Sequence, residues 1–322
     1  MWCPRCRKVR TEDLDLFAPY QRVTKRLACT IYDLCKILTI QEVAEFLGLD
    51  WKTVKEVDKR CLEEEFPETN YNGLRILAVD EISIKKGRRY LTVVLDFQTG
   101  RVVWLGKDRT RKTLRRFFRG MTKNQKRRLE AVAMDMWQPY IKAVQDAVPH
   151  VQIVFDLFHV VSGFNRVINR VRMREYRKAC AEHKHVYLGT KYLLLKNPQK
   201  ITSDTDREHL KQLCDLNAFI SVAMILKEDL KRIWHCRDRI EAADRLHSWY
   251  VLARASLIPE ANDFARMLRR HEYGILNHCD YPIHTSKLEG VNTRIKLINR
   301  KAYGFHDLRY FSLKVIQAFS TN

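Results

Sequence analysis

Acids stand at the ends of apolar runs at several points of this chain. LRILAVDEI runs into Asp80 and Glu81, and LEAVAMDMW runs into Asp135. VQIVFDLFHV ends on Asp156 with His159 three residues on, and KLEGVNTRIKL carries Glu289 near its start. Each has an ordinary use: a strand often finishes on a turn-forming Asp, and Ser286-x-x-Glu289 is a capping box. Two carboxylates held together mean something else, because they repel unless a cation lies between them, as in a divalent-metal site.

The elements around these acids decide which of them meet. LRILAVDEI, RRYLTVVLDF and RVVWLG read as a three-stranded meander, with Gln98, Thr99 and Gly100 in its last turn. TRKTLRRFFRGM puts Leu114, Phe117, Phe118 and Met121 on one helical face, LEAVAMDMW is a fourth strand, QPYIKAVQDAVP a helix and VQIVFDLFHV a fifth strand. In a right-handed β-α-β crossover the first and fourth strands lie side by side, so Asp80 and Asp135 face each other. Asp156 is one strand further out. Topology therefore favours Asp135 as the partner of Asp80, and gives Asp156 and His159 an accessory role, orienting a side chain or phosphate or capping the next helix. The element order is that of an RNase H-like core, which works on phosphodiesters with two metal ions about 4 Å apart.

Composition fits a phosphodiester partner. The 322 residues are 46% hydrophobic and 30% charged, which excludes a disordered chain and allows two or three domains. Fifty-nine Lys+Arg against 38 Asp+Glu leave a net charge of +21, pointing to nucleic acid. From Arg101 to Arg128 there are twelve Lys or Arg and one acid, Asp108. Arg111, Lys112, Arg115, Arg116 and Arg119 fall opposite the apolar face, and a solvated face would mix signs where this one does not. No apolar run reaches the ~20 residues of a membrane span, and MWCPRCRKVR has no signal-peptide core, so a cytoplasmic, nucleoid-associated protein is expected. Nine scattered cysteines exclude a disulfide framework.

TIQEVAEFLGLDWKTVKEVDKRCL reads as a helix-turn-helix about Gly48, with Asp50 capping the second helix. The start of that helix is the part that meets the major groove, which makes Trp51, Lys52, Thr53 and Lys55 the DNA-contacting candidates. Residues 161–283 turn helical throughout, and their Trp234 and Trp249 read as core fillers. In the last segment, Leu288, Val291, Ile295 and Ile298 recur at helical spacing beside a stripe of Glu289, Asn292, Lys296 and Asn299, with Arg294, Arg300 and Lys301 adding charge. Gly290 is expected to admit another backbone closely. Cys3 and Cys6 form half of a zinc knuckle; Cys29 and Cys35 have the wrong spacing to complete it.

The strings VDEISIKKGRRYLTVV, AMDMWQPYIKAV, VFDLFHV and KLEGVNTRIKLINRKAYGF resemble the bacterial insertion-sequence transposases of the ISL-three family, from about residue 20 to the end. His284, Ser286, Thr293 and Asn299 depart from that family's pattern. The resemblance implies a DDE transposase whose triad falls on Asp80, Asp135 and Glu289, with a helical insertion between the second Asp and the Glu. It implies Mg²⁺, with Mn²⁺ able to substitute, DNA ends and target DNA as partners, and at least a homodimer on DNA. A family zinc ribbon would need a preceding CxxC, so 1–19 is expected to be a remnant and zinc at Cys3 and Cys6 is not expected to have a full ligand set. The expected layout is then a helix-turn-helix over 20–65, an RNase H-like core over 70–160 and 284–322, and an all-α insertion over 161–283. A silent DNA-binding repressor derived from such an enzyme, or a nuclease that cuts without joining, are the alternatives.

Overall fold

The computed structural model describes residues 2–9, 15–18, 22–85, 89–196, 198–283 and 286–320. The expected departure at His284 lies outside them. The chain forms two compact units, one of Met1–Asn72, Glu81–Asp108 and Gly290–Asn322, the other of Gly73–Asp80 and Arg109–Glu289.

The first unit begins with a small antiparallel pair, β1 (Trp2–Cys3) and β2 (Lys8–Val9), followed by α1 (Lys25–Ile37), α2 (Ile40–Leu47) and α3 (Trp51–Glu65). Sequence punctuation sets these helices. Thr39 and Glu42 close a capping box on α2, the Thr39 hydroxyl accepting from the Glu42 N–H and the Glu42 carboxylate from the Thr39 N–H. Gly48 ends α2 at φ 66°, a left-handed conformation that glycine adopts freely, and Asp50 caps α3 by accepting the Lys52 N–H at 2.9 Å. Ile31, Val43, Ala44 and Val54 form the core that holds the three helices together.

Three strands follow: β3 (Ile76–Lys85), β4 (Arg89–Asp96) and β5 (Val102–Lys107). The β4–β5 turn is fixed by Asp96, which accepts the Gln98 N–H and the Thr99 hydroxyl, with Gly100 at φ 78°. After α4 (Arg111–Arg119) and α5 (Lys123–Arg127) come β6 (Ala131–Met134), α6 (Gln138–Ala147) and β7 (Gln152–Phe155). The five strands make a mixed sheet in the order β5-β4-β3-β6-β7. Parallel pairing joins β3 to β6 and β6 to β7, and antiparallel pairing joins β4 to β5. β6 is buried throughout, which is why AVAM is apolar without alternation.

The second unit continues as helices among its described residues. α7 (Leu157–Lys178) is followed by the short α8 (Lys184–Tyr187) and α9 (Thr190–Leu195), then α10 (Asp204–Leu216), α11 (Ala218–Ile233), α12 (Arg239–Ala255), α13 (Pro259–Arg269) and α14 (Glu272–Leu276). Trp249 is 1% exposed, bonded to the Leu226 carbonyl and packed on Phe164, a core role; Trp234 stacks on His278. α14 lies hard against β7: a Cβ on Gly274 would stand 2.5 Å from the Phe155 ring. The Asn277 amide donates to the Ile153 carbonyl at 2.8 Å, fixing β7 from the same side.

The chain ends in α15 (Ser286–Lys301) and α16 (Leu308–Ala318). α16 packs on α3 and β5, and there Asp58, fully buried on α3, accepts the Tyr310 hydroxyl at 2.5 Å and pairs with Lys314 at 3.3 Å. A charge without water needs such partners, so this link ties the end of the chain to the helix-turn-helix.

Candidate active site and nucleic-acid interface

Register places the aspartates. β3 and β6 pair Ala78 with Ala133, and β6 and β7 pair Met134 with Phe155. Carried on along the parallel strands, the same register sets Asp80 beside Asp135 and Asp135 beside Asp156. The acids thus form one row, Asp135 and Asp156 just past the ends of β6 and β7 and Asp80 in the middle of β3, which runs on to Lys85 instead of ending at the acid as expected; neighbouring strands are about 4.8 Å apart. Asp80 and Asp135 are half-buried and Asp156 is 7% exposed.

His159 reads the charge of that row. It stands on the first turn of α7 with Nδ1 3.0 Å from Asp156 Oδ2, while Asp156 Oδ1 accepts the Phe158 N–H at 2.8 Å and caps the helix. Burial pushes the imidazolium pKa down, but the Asp156 hydrogen bond and the charges of Asp135, Asp156 and Asp80 outweigh it and lift it to about 9. The row therefore presents a field that favours a cation. Glu289 stands on the first turn of α15 and is exposed. Among the described residues no three His, Cys, Asp or Glu side chains form a set that could hold a metal ion, so Glu289 is not gathered with the aspartates into a closed triad in this conformation.

One neighbour of the row escaped the sequence reading. Trp137, two residues after Asp135 and 36% exposed, donates its indole N–H to the Arg109 carbonyl at 3.2 Å and lies under the Arg109 guanidinium at 4.9 Å. The signal was present in the adjacency of Asp135, Met136 and Trp137, but the pairing with a residue 28 positions away was not.

The basic helix α4 buries Leu114, Phe117 and Phe118, with Met121 just beyond its end, and leaves Lys112, Arg115, Arg116 and Arg119 exposed. Each buried aromatic contributes about 1.5–3 kcal/mol, enough to hold the cationic face outward. None of those four makes an ion pair among the described residues. Arg111 differs from the expectation for it, since its Nε and Nη2 both donate to Asp146, at 2.8 and 2.6 Å, and tie α4 to α6.

On α3, Trp51 is 46% exposed, Lys52 is exposed and its ammonium lies 5.8 Å from the Trp51 ring centroid, and Thr53 and Lys55 are half-buried. On α15, Leu288, Val291 and Ile295 are buried, Lys296 and Arg300 are exposed and Asn292 is half-buried. The expected close approach at Gly290 is corrected: a Cβ there would meet nothing within 4 Å, so the glycine is not a packing requirement. In the β1–β2 hairpin the Cys3 thiol is held below its ordinary pKa by hydrogen bonds from the Cys6 backbone and thiol and from the Arg5 backbone. That brings Cys3 and Cys6 together as a knuckle would, with two ligands of the four a structural zinc takes.

Comparison with known proteins agrees with this geometry. A family pattern for the ISL3 DDE domain, described as transposase, matches residues 77–315, and one for the helix-turn-helix domain of transposase family ISL3 matches residues 12–62. The chain is 37% identical over 328 aligned residues to the transposase for insertion sequence element IS1001 of Bordetella parapertussis, covering all of this chain and 80% of that protein. It is 26% identical to the transposase for IS1557 of Mycobacterium tuberculosis, over 82% of this chain and 64% of that protein, less than two thirds of its length. No helix among the described residues is long and apolar enough to cross a membrane. The chain belongs to the ISL3 family of insertion-sequence transposases, with that family's helix-turn-helix and DDE domains.

Proposed function

We propose that the chain binds the ends of its insertion element and catalyses DNA cleavage and strand transfer with Asp80, Asp135 and Glu289 as its three acids. The observation that carries this reading is the register of β3 on β6, Ala78 opposite Ala133, which continued two residues on sets Asp80 beside Asp135. We read the sheet as an RNase H-like core and residues 161–283 as a helical insertion between the second and third acids. Repression without catalysis gives the paired acids no catalytic use, whereas cutting without joining uses the same row and is separated only by the products of the reaction.

The donor set suits a hard divalent cation: carboxylate oxygens from two strands, in a field negative enough to hold His159 charged. Mg²⁺, or Mn²⁺ in its place, would be held by Asp80 and Asp135 with Glu289 as third carboxylate, and when bound it supplies an activated water or 3′-hydroxyl and offsets phosphate charge. Asp156 fixes the His159 ring beside the row, where its cation can hold a phosphate oxygen. Arg115, Arg116 and Arg119 on α4, and Lys296 and Arg300 on α15, supply phosphate contacts. Trp51, Lys52, Thr53 and Lys55 on α3 supply base contacts, and Asn292 adds a polar one on α15. Two element ends must be joined, so the working species is at least a dimer on DNA.

The test is substitution of each acid. Asp80→Ala, Asp135→Ala and Glu289→Ala should each abolish cleavage and strand transfer of end DNA while leaving its binding within a few-fold. Parallel loss of binding and cleavage would make the acids structural; nicking without strand-transfer products in the unsubstituted protein would reduce it to a nuclease.

A further inference from the structure

The first unit contains a cavity of about 530 Å³, a size that takes a small organic molecule, walled by the three N-terminal helices on one side and the end of α15, the turn after it and α16 on the other. Its floor is apolar, with Ile40, Ile298 and Phe305. Lys36, Lys55, Arg294 and Lys301 also line it, against two acids, Glu65 and Asp307. Asp307 is paired with Lys59 at 2.8 Å, Lys36 with Asp33 at 2.7 Å and Lys314 with Asp58 at 3.3 Å, which leaves Lys55, Arg294 and Lys301 against Glu65, a net positive wall. Two aromatic side chains stand at its edge. Trp51 is 46% exposed, and Tyr303 is fully exposed on a turn whose backbone is left-handed, φ 52°, followed by Gly304 at φ 100°.

Gln317 also lines the cavity, only 7% exposed, with its amide against the Tyr32 phenol. An apolar slot, aromatic edges and a cationic surround suit a planar heterocycle carrying phosphate.

We propose that this cavity takes one unpaired nucleotide of the DNA that α3 contacts, its base in the slot between Trp51 and Tyr303 and its phosphates on Lys55, Arg294 and Lys301. The proposal rests on α3 being the DNA-contacting helix. DNA is favoured as the source because Trp51 and Lys55 belong both to the cavity wall and to the start of that helix. Stacking on exposed aromatics is how proteins hold a base outside the duplex, and every base offers the needed face.

The experiment compares two short duplexes on the full chain, one fully paired and one with a single unpaired 2-aminopurine. The protein should bind the second about tenfold more tightly, the size that base–aromatic stacking supplies, and quench its fluorescence. Ala302→Trp, at an exposed position lining the cavity, should plug it. That variant should lose the preference and the quenching while holding the paired duplex within about twofold. Tyr303→Ala, which cannot disturb a core, should lose most of the quenching. Equal affinity for both duplexes, or a preference that survives Ala302→Trp, overturns the proposal. Deoxyadenosine monophosphate binding that Ala302→Trp blocks, with no duplex preference, makes the cavity a free-nucleotide site and overturns it too. Failure to bind either duplex removes the DNA-binding reading itself, and this proposal with it.

Discussion

Asp156 serves two bonds at once: one carboxylate oxygen accepts the Phe158 N–H at 2.8 Å and the other meets His159 Nδ1 at 3.0 Å. The same side chain that starts α7 fixes the imidazole beside the acid row.

In the metal-free protein His159 should therefore titrate near 9, against about 6.5 for an unperturbed imidazole. Its folded pKa is raised, so the stability this contact contributes is fully present below about pH 6.5 and is lost as pH rises through about 9. Histidine resonances followed by NMR across that range give the midpoint. Asp156→Asn keeps an N-cap acceptor and should drop it by at least one unit; a midpoint near 6.5 in the unsubstituted protein would contradict the arrangement.

Arg111 and its neighbours on α4 should separate by experiment. Arg115, Arg116 and Arg119 face solvent, so neutralising each should flatten the dependence of log affinity on log salt by about 0.9 and weaken binding to all sequences alike. Arg111→Ala breaks the Asp146 tie and should lower stability with a smaller change in salt slope. DNA titrations at several salt concentrations distinguish them.

The buried link of Asp58 with Tyr310 and Lys314 yields a stability prediction. Burial pushes the Asp58 carboxyl up, against the pull of the Lys314 charge and the Tyr310 hydrogen bond. Lys314→Met strands that carboxylate, and should cost about 3–5 kcal/mol in urea denaturation at neutral pH. A raised carboxylate gives a folded state that is favoured as pH falls, so the deficit should shrink on acidification toward the ordinary carboxylate range.

How much of this was legible in the sequence depends on the range of the contact. AVAM, QIVF and ILAVD announced themselves as strands because buried parallel strands are continuously apolar, and the β-α-β order then put Asp80 next to Asp135. The turn at Gly48 and the cap at Asp50 were equally plain, since they act on their own neighbours. Contacts between distant positions carry no local signature. Arg111 looked like a phosphate ligand because Asp146 is 35 residues away, and the bond from Tyr310 to Asp58 spans 252 residues. Gly290 misled because a glycine inside a helix usually marks a close approach, and here it faces open space. Glu289 was proposed from its motif and stands on a helix rather than in the strand row, so no register argument reaches it.

Metal-rescued cleavage of end DNA tests the assignment of the acids most directly. With a cysteine at a true ligand position, cleavage should fail in Mg²⁺ and return in Mn²⁺, because a thiolate favours the softer ion. Asp135→Cys is predicted to show that rescue and Asp156→Cys is not, since both Asp156 oxygens are already engaged by the Phe158 N–H and His159. Rescue at position 156 without rescue at 135, or full Mg²⁺-dependent cleavage by Asp135→Cys, would contradict the pairing of Asp80 with Asp135.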